Sequence, residues 1–192
     1  MELKNLNIGF AVTGSFCTIA KVIPQLELLT KKAKSVIPIF SPIVYNTDTR
    51  FTQKEELASK VFNITGNNII TTIPEAEPIG PKKIIDALII APCTGNTASK
   101  IANGITDTSV TMAAKASLRN KIPVIIAIST NDGLSGSAKN IGMLLNTKGI
   151  YFVPFGQDDF LKKETSLVSD MSLITDTLVL SLEGKQIQPI LV

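Results

Sequence analysis

The sequence predicts an α/β fold: a doubly wound, mostly parallel sheet with helices on both faces. Three observations carry it. Apolar runs without alternation recur at 8–12, 36–40, 87–91 and 124–128, as in strands buried on both faces. Between them lie segments whose apolar residues repeat at helical spacing. Strands that alternate with helices form right-handed crossovers, so neighbouring strands run parallel. The 192 residues suit one domain, 1–192, with a sizeable core.

The elements follow in order. Residues 8–12 are the first strand, and Thr13-Gly14-Ser15 is a turn. From 17 to 32, Ile19, Val22, Ile23, Leu26, Leu29 and Ala33 share a helical face. Pro24 is predicted to kink that helix or end its first turn. The second strand, 36–40, is closed by Ser41-Pro42. A polar loop at 46–52 precedes a helix at 53–62, expected to open on a capping box from Thr52 to Glu55. A short strand is predicted at 69–73, then a loop to Lys83 carrying three prolines. The central strand, 87–91, should stop at Pro92, which cannot donate to a ladder. Ala98, Ile101, Ala102 and Ile105 mark the helix after it. Further helices are predicted at 107–119, 137–145 and 166–182, strands at 124–128 and 151–153, a polar loop at 129–136 and a turn at 156–159. The tail, 186–192, shows no clear pattern.

Composition excludes several functions. A net charge of +3 with dispersed lysines argues against nucleic-acid binding. No apolar run reaches membrane-spanning length. The opening residues carry no signal-peptide pattern, so Cys17 and Cys93 are expected as reduced thiols in the cytoplasm. The chain has no histidine, which removes Ser-His-Asp and Cys-His chemistry and disfavours a zinc site.

Chemistry is expected at the carboxyl ends of the strands, where open α/β sheets bind ligands. The turn after the central strand reads Thr94-Gly95-Asn96-Thr97 and leads into a helix start, whose amides suit an anion. An ordinary loop with a capping Thr would look similar. The first turn is not the Gly-x-Gly-x-x-Gly dinucleotide fingerprint, and Ser41 stands where a NAD site wants an acid. Thr13, Ser15, Ser41, Thr94, Asn96 and Thr97 form an uncharged set that fits a mononucleotide phosphate, FMN being the natural candidate.

Residues 92–107, Pro-Cys-Thr-Gly-Asn-Thr-Ala-Ser-Lys-Ile-Ala-Asn-Gly-Ile-Thr-Asp, resemble the signature of the flavin-containing Cys decarboxylase-like superfamily. Residues 46–51, 76–83, 128–132, 140–151 and 154–159 further resemble the B-subunit family of dipicolinate synthases. The resemblance implies FMN held among Thr13, Gly14, Ser15, Ser41, Thr94, Gly95, Asn96, Thr97 and Ser129. It implies a partner, the A subunit of dipicolinate synthase, and conversion of dihydrodipicolinate to dipicolinate in sporulating Firmicutes. It also implies a homo-oligomer of trimers or their multiples. The alternative is a non-catalytic partner that stabilises the A subunit, with an empty or vestigial nucleotide pocket. The superfamily's decarboxylases use a histidine and a Pro-x-Met-Asn motif. Here only Asn131 of that motif remains, and the prenyltransferases' Arg-Glu pair is absent, so both of those reactions are disfavoured.

Asn96 and Asn131 are therefore candidates for contact with flavin or substrate, although Asn131-Asp132-Gly133 also reads as a plain turn. Arg50 is a third catalytic candidate, because a guanidinium grips a carboxylate in a fork and the implied substrate has two. A surface ion pair with Asp48 is the simpler role for it. Cys93 reads as a small buried thiol. Asp158 and Asp159 read as a loop or interface feature.

Overall fold

The computed structural model describes residues 2–192. Five strands run parallel in the order β2 (Ser35–Phe40), β1 (Asn7–Val12), β3 (Ala87–Cys93), β4 (Val124–Thr130), β5 (Ile150–Phe152). The chain passes from β2 back across β1 to β3. The strand order thus reverses between β1 and β3, and a crevice opens at their carboxyl ends. The far edge of β4 is shared. Residues 124–126 pair with β5, and Ser129 and Thr130 pair antiparallel with β7 (Leu167–Ser169), which pairs in turn with β6 (Phe155–Gln157).

Helices cover both faces. α1 (Phe16–Lys32), α3 (Lys54–Thr65) and α8 (Ile174–Leu182) bury their apolar stripes against one face of the sheet. The other face carries α4 (Ile73–Ala76), α5 (Gly95–Ala102), α6 (Ser109–Arg119) and α7 (Ala138–Leu145). α2 (Pro42–Asn46) is one turn after β2. Along β3, Ala87, Ile89 and Ala91 face the first core, and Leu88 and Ile90 face the second. Cys93 then joins the second core, out of alternation with Ala91. This slip is where the register with β4 shifts, between Ile90 and Cys93.

Several expectations are corrected. The central strand does not stop at Pro92: it absorbs the proline at the register shift and continues to Cys93. α1 does not end at Pro24 but continues through it to Lys32. That ring is exposed, while Val22, Ile23, Leu26 and Leu29 are buried, and their packing outweighs the roughly 3 kcal/mol cost of an interior proline. The segment 69–73 is no strand. Only Ile70 bridges β2, where its N–H bonds Pro38 O. The expected loop before Lys83 holds α4 and a 3₁₀ turn, opened by a capping box between Thr72 and Glu75. No capping box forms at Thr52; Asp48 instead accepts the Lys54 N–H at 2.9 Å. Residues 156–159 are partly strand β6. Residues 167–169 form β7 rather than helix, because the open edge of β4 offers them a ladder. Ile105 lies beyond the end of α5 and is exposed.

Candidate functional site

The loops after β1, β3 and β4 meet at the carboxyl edge of the sheet. Thr13 fastens two of them. Its hydroxyl donates to Pro92 O at 2.7 Å and accepts from Thr94 N at 3.0 Å. Thr94 caps α5, accepting from Thr97 N and donating to Thr97 Oγ1. Behind this turn, the Asp132 carboxylate accepts bonds from the hydroxyls of Thr130 and Ser137. Gly95 lies directly against that cluster: a Cβ there would overlap Thr130 Oγ1 and Ser137 Oγ and stand 2.8 Å from Asp132 Oδ1. The start of α5 is thereby pressed onto the end of β4.

Two cavities, of about 510 and 600 Å³, flank this knot and share Gly14, Thr94 and Asn96. At Gly14 a Cβ would come within 2.9 Å of Ile43, so a larger residue would crowd the ridge between them. Ser41, Thr97, Lys100 and Thr108 line the larger cavity. Ser41 is 6% exposed, and its hydroxyl oxygen is buried with no partner. A buried hydroxyl left unbonded costs free energy unless a ligand or water completes it. Lys100 is neutralised by Asp107, 2.8 Å away. Bonding to Lys100 also holds the Asp107 carboxyl below the ordinary range.

The smaller cavity has a floor of hydroxyls. Ser129 bonds both Ser15 and Thr18 at 2.8 Å, and Ser15 and Thr18 are 3.2 Å apart. Phe16, Phe51 and Val168 give it apolar wall, and Lys21, Asp158 and Lys163 its charge. Lys163 Nζ lies 2.6 Å from Asp158 Oδ2, and that bond raises the ammonium's pKa. Cys93, beneath the site, is fully buried; desolvation pushes its thiol up to about 12, so it stays neutral.

The family description Flavoprotein matches residues 1–171. The chain belongs to the flavoprotein family. Within that family it is 47% identical, over 191 residues, to the B subunit of dipicolinate synthase from Bacillus subtilis (strain 168), covering 100% of this chain and 96% of that protein. The crystal structure of the dipicolinate synthase B subunit from Bacillus halodurans C superposes with a TM-score of 0.92 at 44% identity, covering 100% of this chain and 98% of the other. The FMN-dependent cysteine decarboxylase SpaF shares the fold, with a TM-score of 0.68 at 21% identity and coverage of 93% and 98%.

In this flavoprotein-family chain, Gly14, Ser15, Thr94, Gly95, Asn96, Ser129 and Asn131 all line the smaller cavity. Ser41 and Thr97 line the larger one. Thr13 lines neither; at 1% exposure it lies below the surface and its hydroxyl is engaged by β3. Arg50 also lines neither. It is exposed and stacks on Phe51, its guanidinium carbon 4.8 Å from the ring centre. Asp132 secures the turn, and Asp158 stands in the wall. Sequence reasoning missed Thr18, Lys21 and Lys163. Thr18, three residues after Ser15 at a helix start, carried a legible signal of shared face. The two lysines carried none, since only the fold brings α1 and the loop before β7 together.

Proposed function

We propose that this chain is the B subunit of a dipicolinate synthase, binding FMN and acting with the synthase's A subunit to convert dihydrodipicolinate to dipicolinate during sporulation. The full-length identity to a dipicolinate synthase B subunit supports the reaction. The observation that carries the cofactor is the unpartnered Ser41 hydroxyl in the wall of a cavity at the switch point between β1 and β3. This sheet order places FMN at that point in other doubly wound proteins. Ser41, Gly14 and Ser15 would hold the phosphate and ribityl chain through hydroxyls and backbone amides. Thr94, Gly95, Asn96, Thr97 and Ser129 would contact the rest of the flavin, with Thr13 fixing their loop. When bound, FMN supplies a two-electron acceptor. Asn96 and Asn131 then orient the substrate, and Arg50 at the rim meets a substrate carboxylate or the partner. Oxidation to an aromatic ring is favourable, so a chain without histidine can support it. We further assign it to the cytoplasm, as a homo-oligomer that is a trimer or a multiple of trimers.

The absorption spectrum of the purified chain, before and after adding FMN, tests the reading. Expected are flavin bands at one equivalent per chain, weakened in Asn96→Ala and Ser15→Ala, and dihydrodipicolinate oxidation once the A subunit is present. A colourless chain that takes up no FMN sinks the cofactor assignment. The second reading, a non-catalytic partner of the A subunit, would then stand. It is favoured by one observation: Ser15, Thr18 and Ser129 already satisfy one another.

A further inference from the structure

We infer that the smaller cavity is a dianion site in which Lys21 of α1 and Lys163, from the loop between β6 and β7, each engage one carboxylate of a small planar dicarboxylate. The inference rests on the function proposed above and assigns its substrate contacts.

The two cavities divide the work by charge. The larger one holds the orphaned Ser41 hydroxyl, and its one lysine, Lys100, is matched by Asp107. The smaller one holds two lysines against one aspartate. Among the described residues no carboxylate lies within ion-pair distance of Lys21. Lys163 is paired to Asp158, but their side chains are 51% and 33% exposed. An exposed pair contributes at most about 1 kcal/mol, so an entering carboxylate can share or displace Asp158. In the same cavity Thr18 and Asn131 offer polar contacts, while Phe16, Phe51 and Val168 offer apolar contact to a flat ring. The volume, about 510 Å³, is that of a small-molecule site. Arg50 lines neither cavity, which leaves the carboxylates to the lysines and, of the two roles proposed for Arg50, keeps the contact with the partner.

Calorimetric titration of pyridine-2,6-dicarboxylate and of pyridine-2-carboxylate into the full chain, with and without FMN, tests the site. Expected is saturable dicarboxylate binding that exceeds monocarboxylate binding and weakens with salt. Lys21→Met and Lys163→Met should each weaken it about tenfold or more, and Lys163→Arg should restore most of it. The same variants should take up FMN as the parent does, read from flavin absorbance. Equal dicarboxylate affinity in parent and lysine variants would overturn the inference, as would no binding with or without FMN. Dicarboxylate binding by a chain that refuses FMN would sink the cofactor assignment and leave the dianion site standing.

Discussion

Ser41→Ala separates a ligand-binding hydroxyl from a structural one, because the two roles have opposite signs. The Ser41 oxygen is buried and bonded to nothing within the protein, while its backbone is fixed by Ser41 N to Val12 O and by Val44 N and Tyr45 N to Ser41 O. Alanine keeps all of that backbone bonding. It also removes an unsatisfied group whose burial costs about 1–3 kcal/mol. The FMN-free variant should therefore melt at or above the parent temperature. With FMN the order should reverse. A hydroxyl bonding a phosphate contributes about 1.5–3 kcal/mol, so its loss should weaken FMN roughly ten- to hundred-fold. At a concentration one hundred times the parent dissociation constant, FMN stabilises the parent by about 2.7 kcal/mol. A tenfold weaker variant would gain only about 1.4 kcal/mol there, and a domain of this size moves by about 2–4 °C per kcal/mol. Paired thermal melts with and without FMN read both signs. A variant that melts several degrees low without FMN would show that the hydroxyl has a structural partner. An undiminished FMN shift would show that it does not touch the phosphate.

Other expectations follow from single contacts. Thr13→Val should orphan Thr94 N, while Pro92 O keeps its bond from the Thr13 N–H, and should lower stability by about 1–3 kcal/mol, measured by urea unfolding. In the native chain at about pH 8, a thiol reagent should modify Cys17, which is exposed, and spare Cys93, whose thiol is pushed to about 12; two modified thiols would contradict that burial. Glu75 accepts the N–H groups of Thr71 and Thr72, and these bonds hold its carboxyl below the ordinary 4.5. Its stabilising contribution should be present above 4.5 and fade as pH falls through the lowered value. Glu75→Gln should flatten that part of the melting-temperature profile, by a small amount because the group is exposed.

The parallel core was legible because buried strands declare themselves as unbroken apolar runs, as at Leu88, Ile89 and Ile90. Ile19, Val22, Ile23, Leu26 and Leu29 announced α1 by their spacing. The two prolines misled for one reason. A local rule penalises Pro24 and Pro92, but long-range burial on either side keeps the helix and the strand going. β7 was hidden because its pairing depends on a strand edge far back in the chain, Val168 on Ser129 and Leu167 on Thr130. The site divides the same way. Ser41 and the turn from Thr94 to Thr97 were visible, since position after a strand and a short polar side chain suffice to mark them. Lys21 and Lys163 look like any solvated lysine until α1 and the loop before β7 stand across one cavity.

The two-sided edge of β4 grades the mobility of the site. Val124 to Ile126 sit between β3 and β5 in a fully buried ladder, whereas Ser129 and Thr130 lean on β7, which is three residues long and backed only by the equally short β6. Amide hydrogen exchange should therefore quicken along one strand, slow at Ile126 and faster at Ser129. Phe155 and Leu167 hold the ribbon in the core, so the part freest to open is the exposed loop between its two strands. That ribbon and the loop within it carry Asp158, Lys163, Ser166 and Val168, one whole wall of the smaller cavity. The wall most exposed to local opening is thus one that lines the smaller cavity, and a bound guest would slow exchange there first.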